Sequence, residues 1–155
     1  MSEPTYRRRG AVALACLAAF GSVATDCGTT RVHIAIGGNI DSEVTFTARL
    51  SHDRPTTITE FAVIELDERV PLGNERVMWR LSGESDARTI AYGATPDGLV
   101  ASTGPSPLQR GTRYTVFVRA EGRYVIRLRG AGSCAFSVDA DGEVDPAQGC
   151  RLIPN

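Results

Sequence analysis

Residues 108–120 read Leu-Gln-Arg-Gly-Thr-Arg-Tyr-Thr-Val-Phe-Val-Arg-Ala. Within this stretch Tyr114, Val116 and Val118 alternate with Arg113, Thr115 and Arg119. Successive side chains of a strand point to opposite faces, so a period of two means one apolar face and one wet face. The same alternation recurs on both sides. Val32, Ile34 and Ile36 alternate with His33 and Ala35, and Val44, Phe46, Ala48 and Leu50 with Glu43, Thr45, Thr47 and Arg49. Val77, Trp79 and Leu81 alternate with Arg76, Met78 and Arg80. Tyr124, Ile126 and Leu128 alternate with Arg123, Arg127 and Arg129. The run from Ile58 to Leu66 mixes its faces, as a central strand does.

Turn signals separate these runs: Gly37-Gly38-Asn39, His52-Asp53-Arg54-Pro55, Gly73-Asn74, Thr95-Pro96-Asp97-Gly98, Gly104-Pro105-Ser106-Pro107 and Gly130-Ala131-Gly132. Short two-faced strands at this spacing predict a sandwich or barrel. The expectation is an all-β fold: a single antiparallel β-sandwich of seven to eight strands over residues 25–155.

The chain has 155 residues, enough for one domain with a full core. An apolar share of 42% and a charged share of 23% are those of a globular protein rather than a disordered one. The formal net charge is −1, which gives no electrostatic case for a nucleic-acid partner. All 17 basic residues are Arg.

Residues 1–24 read as an export signal. Arg7, Arg8 and Arg9 form a positive segment, Ala11 to Phe20 an apolar run, and Ser22-Val23-Ala24 a small-residue cleavage site. The run is short for a bilayer span. Gly10 and Ala11 follow Arg8-Arg9 where the twin-arginine route wants a bulky apolar residue, so the general secretory route fits better. Removing residues 1–24 leaves 14 Arg against 17 acidic residues. The expected location is periplasmic or extracellular.

Of the four cysteines, Cys16 leaves with the signal. Cysteines pair in an oxidising compartment. A turn at Asp139-Ala140-Asp141-Gly142 would bring Cys134 beside Cys150, and a bridge closing that short loop is worth about 3 kcal/mol. Cys27 is then left over. It is either the lipidated first residue of an anchored protein or a free or intermolecular thiol. The cysteine count favours the first; Asp26 and Ala24 fit a lipoprotein signal poorly.

The string Leu108-x-x-Gly111-x-x-Tyr114-x-Val116-x-Val118-x-Ala120 resembles the corner between the fifth and sixth strands of fibronectin type III domains, within the immunoglobulin-like sandwiches. That resemblance implies that Leu108 fills the core and that the Tyr114 hydroxyl bonds back to the backbone. It makes Leu108, Gly111 and Tyr114 structural. Arg110 stands where such corners usually carry Pro. Trp79 matches the buried Trp of these sandwiches, with Tyr92 and Tyr114 on its partner face. Over about half its length the chain also resembles small bacterial secreted or lipid-anchored proteins. They share a Trp strand, a segment like Ile90-Ala91-Tyr92-Gly93-Ala94-Thr95-Pro96-Asp97-Gly98, the tyrosine corner and a last strand like Cys134 to Val138. That second resemblance implies no activity.

Candidates for chemistry are few. Ser51-His52-Asp53 spells a hydrolase triad, but adjacent residues on an extended chain point apart. His33 lies on a wet face with no partner at metal-ligand spacing. Asp139, Asp141 and Asp145 resemble the middle of a calcium loop. Ser137 and Gln148 stand where its end ligands belong, and Asp-Gly is also a strong hairpin signal. Arg119, Arg123, Arg127 and Arg129 form a stripe interleaved with Glu121, a device against edge pairing. The Thr95–Pro107 stretch reads as a long loop exposing Leu99 and Val100, the place to look for a partner.

The expectation is a non-catalytic interaction or accessory protein of the cell envelope that needs no cofactor. Its partner would be a protein or a glycan. Two alternatives stand beside it: a calcium-dependent binding or enzymatic protein using the 139–145 turn, and an inhibitor of a secreted protease presenting the 95–107 loop.

Overall fold

The computed structural model describes residues 30–51, 56–67, 69–71, 74–122, 128–147 and 150–152. Residues 1–24, expected to be an export signal, lie outside them, as do Cys27, His52, Arg123, Arg127 and Gln148. All regular structure among the described residues is strand.

The alternating runs form strands whose apolar residues face one core. In β1 (Thr30–Gly38) Val32, Ile34 and Ile36 are buried, and in β2 (Val44–Leu50) Val44, Phe46, Ala48 and Leu50 are. In β7 (Arg113–Gly122) the same holds for Tyr114, Val116, Val118 and Ala120, and in β8 (Leu128–Val138) for Cys134, Phe136 and Val138. β3 (Thr56–Glu65) is buried on both faces in part, because its register shifts between Ile58 and Glu60. An inserted residue re-aims the side chains after it. β3 lies between β7 and β4 (Val77–Ser85), the central place its mixed faces required.

Short strands complete the set: β5 (Thr89–Ala91), β6 (Leu99–Thr103), β9 (Val144–Pro146) and β10 (Arg151–Leu152). The order is β5-β2-β1-β8-β7-β3-β4-β6, with β9 on β8 and β10 on β1.

This corrects the expected antiparallel sandwich. β1 runs parallel to β8 through Thr30↔Gly130 and Arg31↔Ala131, and parallel to β10 through Ala35↔Arg151 and Ile36↔Leu152. Hydrogen bonding therefore continues across the join, and one mixed sheet curls into a half-barrel where two separate sheets were expected. The curl brings Phe46 of β2 to Phe61 of β3 (ring centroids 5.3 Å) and to Phe136 of β8 (5.9 Å). At the join a Cβ on Gly132 would sit 2.3 Å from the Val32 carbonyl oxygen, so only glycine lets the backbones approach there.

Cys134 and Cys150 are disulfide-bonded, with Cα atoms 5.7 Å apart and a sequence separation of 16. The bond fastens the chain just ahead of β10, whose pairing with β1 spans two residues. We expect the Cys134→Ser/Cys150→Ser double variant to unfold about 3 kcal/mol more easily in urea, mainly through a freer unfolded chain. An unchanged midpoint would show that the bond constrains nothing.

Candidate interaction edge

The Thr95–Pro107 stretch is not the open loop expected from its Gly and Pro residues. Its middle is β6, paired antiparallel with β4 through Arg80↔Thr103, Leu81↔Ala101, Ser82↔Val100 and Gly83↔Leu99. Leu99 is buried, and Val100 is 70% exposed, the exposed large hydrophobic among the described residues.

Three contacts hold β6. The Asp97-Gly98 turn gives Gly98 φ +85°, and Glu84 N–H donates to its carbonyl at 2.9 Å. A Cβ on Gly98 would lie 2.0 Å from the Glu84 carbonyl oxygen. Beyond β6, Ser106 N–H donates to the Met78 carbonyl at 2.9 Å. The Tyr92 hydroxyl donates to the Ser106 carbonyl at 2.7 Å. Burial pushes the Tyr92 hydroxyl up to about 12, with a smaller contribution from Tyr114.

β6 ends the sheet, and its outer side has no strand among the described residues. Its sequence, Leu-Val-Ala-Ser-Thr, carries no charge. The outward face of the neighbouring strands does. Glu60 on β3 pairs with Arg119 at 2.9 Å and Arg80 at 4.0 Å, and Glu121 pairs with Arg129 at 2.9 Å. The two described members of the arginine stripe are thus neutralised locally. Exposed pairs of this kind contribute under about 1 kcal/mol each.

The corner around Tyr114 is built as a structural unit. Tyr114 is fully buried, and its hydroxyl accepts from Gln109 N–H at 2.8 Å. Gly111 takes φ +71°, and its N–H donates to the Val138 carbonyl at 2.7 Å. Leu108 is half-buried against the core. Arg110 forms an ion pair with Asp41, tying the corner to the β1–β2 turn. Trp79 is fully buried with its ring edge-on to Tyr92 at 5.2 Å, while Tyr114 stacks on Phe136 at 5.4 Å instead of facing Trp79.

The acidic turn is occupied by its own backbone. Asp139 Oδ1 accepts from Asp141 N–H at 2.9 Å and Glu143 N–H at 2.8 Å. Asn39 Nδ2 donates to the Asp141 carbonyl at 3.1 Å and to Glu143 Oε1 at 2.9 Å. Among the described residues no three His, Cys, Asp or Glu side chains converge, so Asp139, Asp141 and Asp145 are not brought together as ligands.

Ser51 meets His33, a residue remote in sequence, with Oγ to Nε2 at 3.4 Å. That distance is long for a hydroxyl bond. The Ser51 hydroxyl also has the Arg31 carbonyl as acceptor at 3.1 Å. Beside them a cleft of about 450 Å³ between β1 and β8 is lined by Arg31, His33, Ser133 and the disulfide.

Two outcomes are expected here. Gly98→Ala adds about 1–3 kcal/mol of backbone strain and a clash with Glu84. Amide exchange at Leu99–Thr103 should speed up more than at Val116–Val118; uniform exchange would overturn the part of the Gly98 turn in holding β6. For Tyr92 the folded hydroxyl loses its proton near 12 and the unfolded one near 10. Its contribution to stability is whole below 10 and is lost as pH rises to about 12. Tyr92→Phe should remove a step near 12 from the tyrosinate absorbance titration.

No family model matches the chain, and no curated protein and no solved structure matches it.

Proposed function

We propose that this chain is a non-catalytic binding module, exported to the cell envelope, that engages a protein partner through the β6 edge. One observation carries the reading: an uncharged terminal strand with Val100 in solvent. Folded proteins usually blunt such edges with charge, proline or a covering segment, because a bare edge templates pairing. A flexible-looking stretch anchored by Tyr92 and Gly98 is a rigidly presented one, which suits recognition. An aliphatic strand edge suits a polypeptide better than a sugar, which is usually stacked on exposed aromatic rings.

The Cys134–Cys150 bond supports the export side of the proposal, since such bonds persist in oxidising compartments. The reading of residues 1–24 as an export signal, from Arg7–Arg9 and the apolar run after them, points the same way. The bonded corner at Tyr114 supports a fibronectin-like tyrosine corner built into the curled sheet.

The test is site-specific photo-crosslinking in the natively exported protein. A photoreactive residue at position 100 should give a discrete protein adduct, and one at position 133, on exposed β8 surface, should give none. Equal labelling at both positions, or a substrate turnover abolished by a point substitution, would remove the proposal.

A further inference from the structure

We infer that β6 takes its partner as an added antiparallel strand, an extended and uncharged peptide segment with a β-branched or aromatic residue opposite Val100. The inference rests on the binding reading above and names the partner's form.

The direction follows from the neighbours. The half of the sheet that β6 ends, β8-β7-β3-β4-β6, is antiparallel throughout. A strand continuing that pattern keeps the more favourable ladder geometry. The length follows from the flanks. Pro96 precedes β6 and Pro105 and Pro107 follow it. Proline has no N–H to offer a ladder, so added pairing is confined to about the five residues of β6.

That length decides the occupant. Five residues run for about 17 Å. Two folded copies meeting along such a line would bury far less than the roughly 800 Å² per partner of a stable interface. A peptide does not need a broad rigid surface. It draws affinity from main-chain hydrogen bonds and selectivity from alternate side chains. The side chains on offer set the chemistry: Val100 in solvent, and no charge on β6 for an ionic residue to pair with. Cross-strand pairing with Val favours β-branched and aromatic residues.

The experiment uses the disulfide-bonded exported protein, isotope-labelled for amide NMR. The probe is a blocked peptide, acetyl-Thr-Val-Thr-Val-Thr-amide, at millimolar concentration. We expect shifts at Leu99–Thr103 and exchange there slowed by about tenfold. The same peptide N-methylated at alternate residues keeps its side chains but loses ladder donors, and should do nothing. Val100→Lys should abolish the response while leaving the melting temperature unchanged, since the side chain is in solvent.

Equal shifts with the methylated peptide, shifts centred on Gly132–Cys134, or no shift at all would each overturn strand addition. So would β6 shifts on concentrating the protein alone, which would assign the edge to a second copy. A silent titration beside a position-100 adduct defeats strand addition and leaves the binding reading standing. Silence in both defeats the two together.

Discussion

Everything in this structure depends on the curl of the sheet being filled, and Phe46 fills it. It is almost wholly buried on β2, near one end of the sheet, and its ring meets Phe61, Phe136 and Tyr92, from β3, β8 and the segment after β5. A fully buried Phe contributes about 1.5–3 kcal/mol by area, and each well-placed ring pair about 0.5–1.5 kcal/mol more. Beyond the core they share, the short half β5-β2-β1 is joined to the rest by two residue pairs at the β1–β8 join, by the turn contacts of Asn39 and by the Arg110–Asp41 ion pair. The same ring chain reaches the β6 edge. Phe61 leads to Trp79, Trp79 to Tyr92, and the Tyr92 hydroxyl to Ser106 just past β6.

Charge and polarity are arranged around that core in two different ways. At the end of the molecule holding the tyrosine corner, polar groups stitch turns together. Asn39 reaches the 139–143 turn, Arg110 reaches Asp41, and Asp139 folds its own turn. A carboxylate already accepting two backbone N–H groups is a structural cap first, and that is why a calcium-like spacing here builds a hairpin. β6 itself carries no charged side chain. One polar cost is visible in the core: Trp79 Nε1 is buried without a hydrogen-bond partner among the described residues. Such a group costs on the order of 1–3 kcal/mol, which the surrounding ring contacts must offset.

What could be read from the sequence follows the range of each interaction. β2 and β7 were legible because their alternation is local and uninterrupted, and their buried residues are the ones the period of two selects. The corner at Leu108–Tyr114 was legible because Gly111 and the Tyr114 hydroxyl act within a few residues of one another. The mixed sheet was not legible. Its parallel pairings are two residues long, join segments roughly a hundred residues apart, and leave no mark on local patterning. β6 was misread as loop because Pro96, Gly98, Gly104 and Pro105 bracket only five residues, and the punctuation outweighed the strand between. Leu99 was expected outside and is inside, since pairing with Gly83 turns it to the core. Val100 was placed correctly in solvent, though on a strand edge where a loop tip was expected.

The binding reading and the fold's stability then share one constraint. β6 must be held firmly enough to present a fixed register, yet left unpaired on its outer side. Pairing with β4 alone would fray, because an end strand of five residues gains little from one ladder. The structure meets this from the two ends, with Gly98 locked into Glu84 on one side and Ser106 tethered to Met78 and Tyr92 on the other. Leu99 supplies the buried contact between them. A segment under no functional demand would be expected to gain a charge at Val100, since a lysine there would guard the edge at no cost to packing. The chain instead uses a glycine turn and a partly buried tyrosine to hold an uncharged edge in place, and that combination supports the proposed binding role.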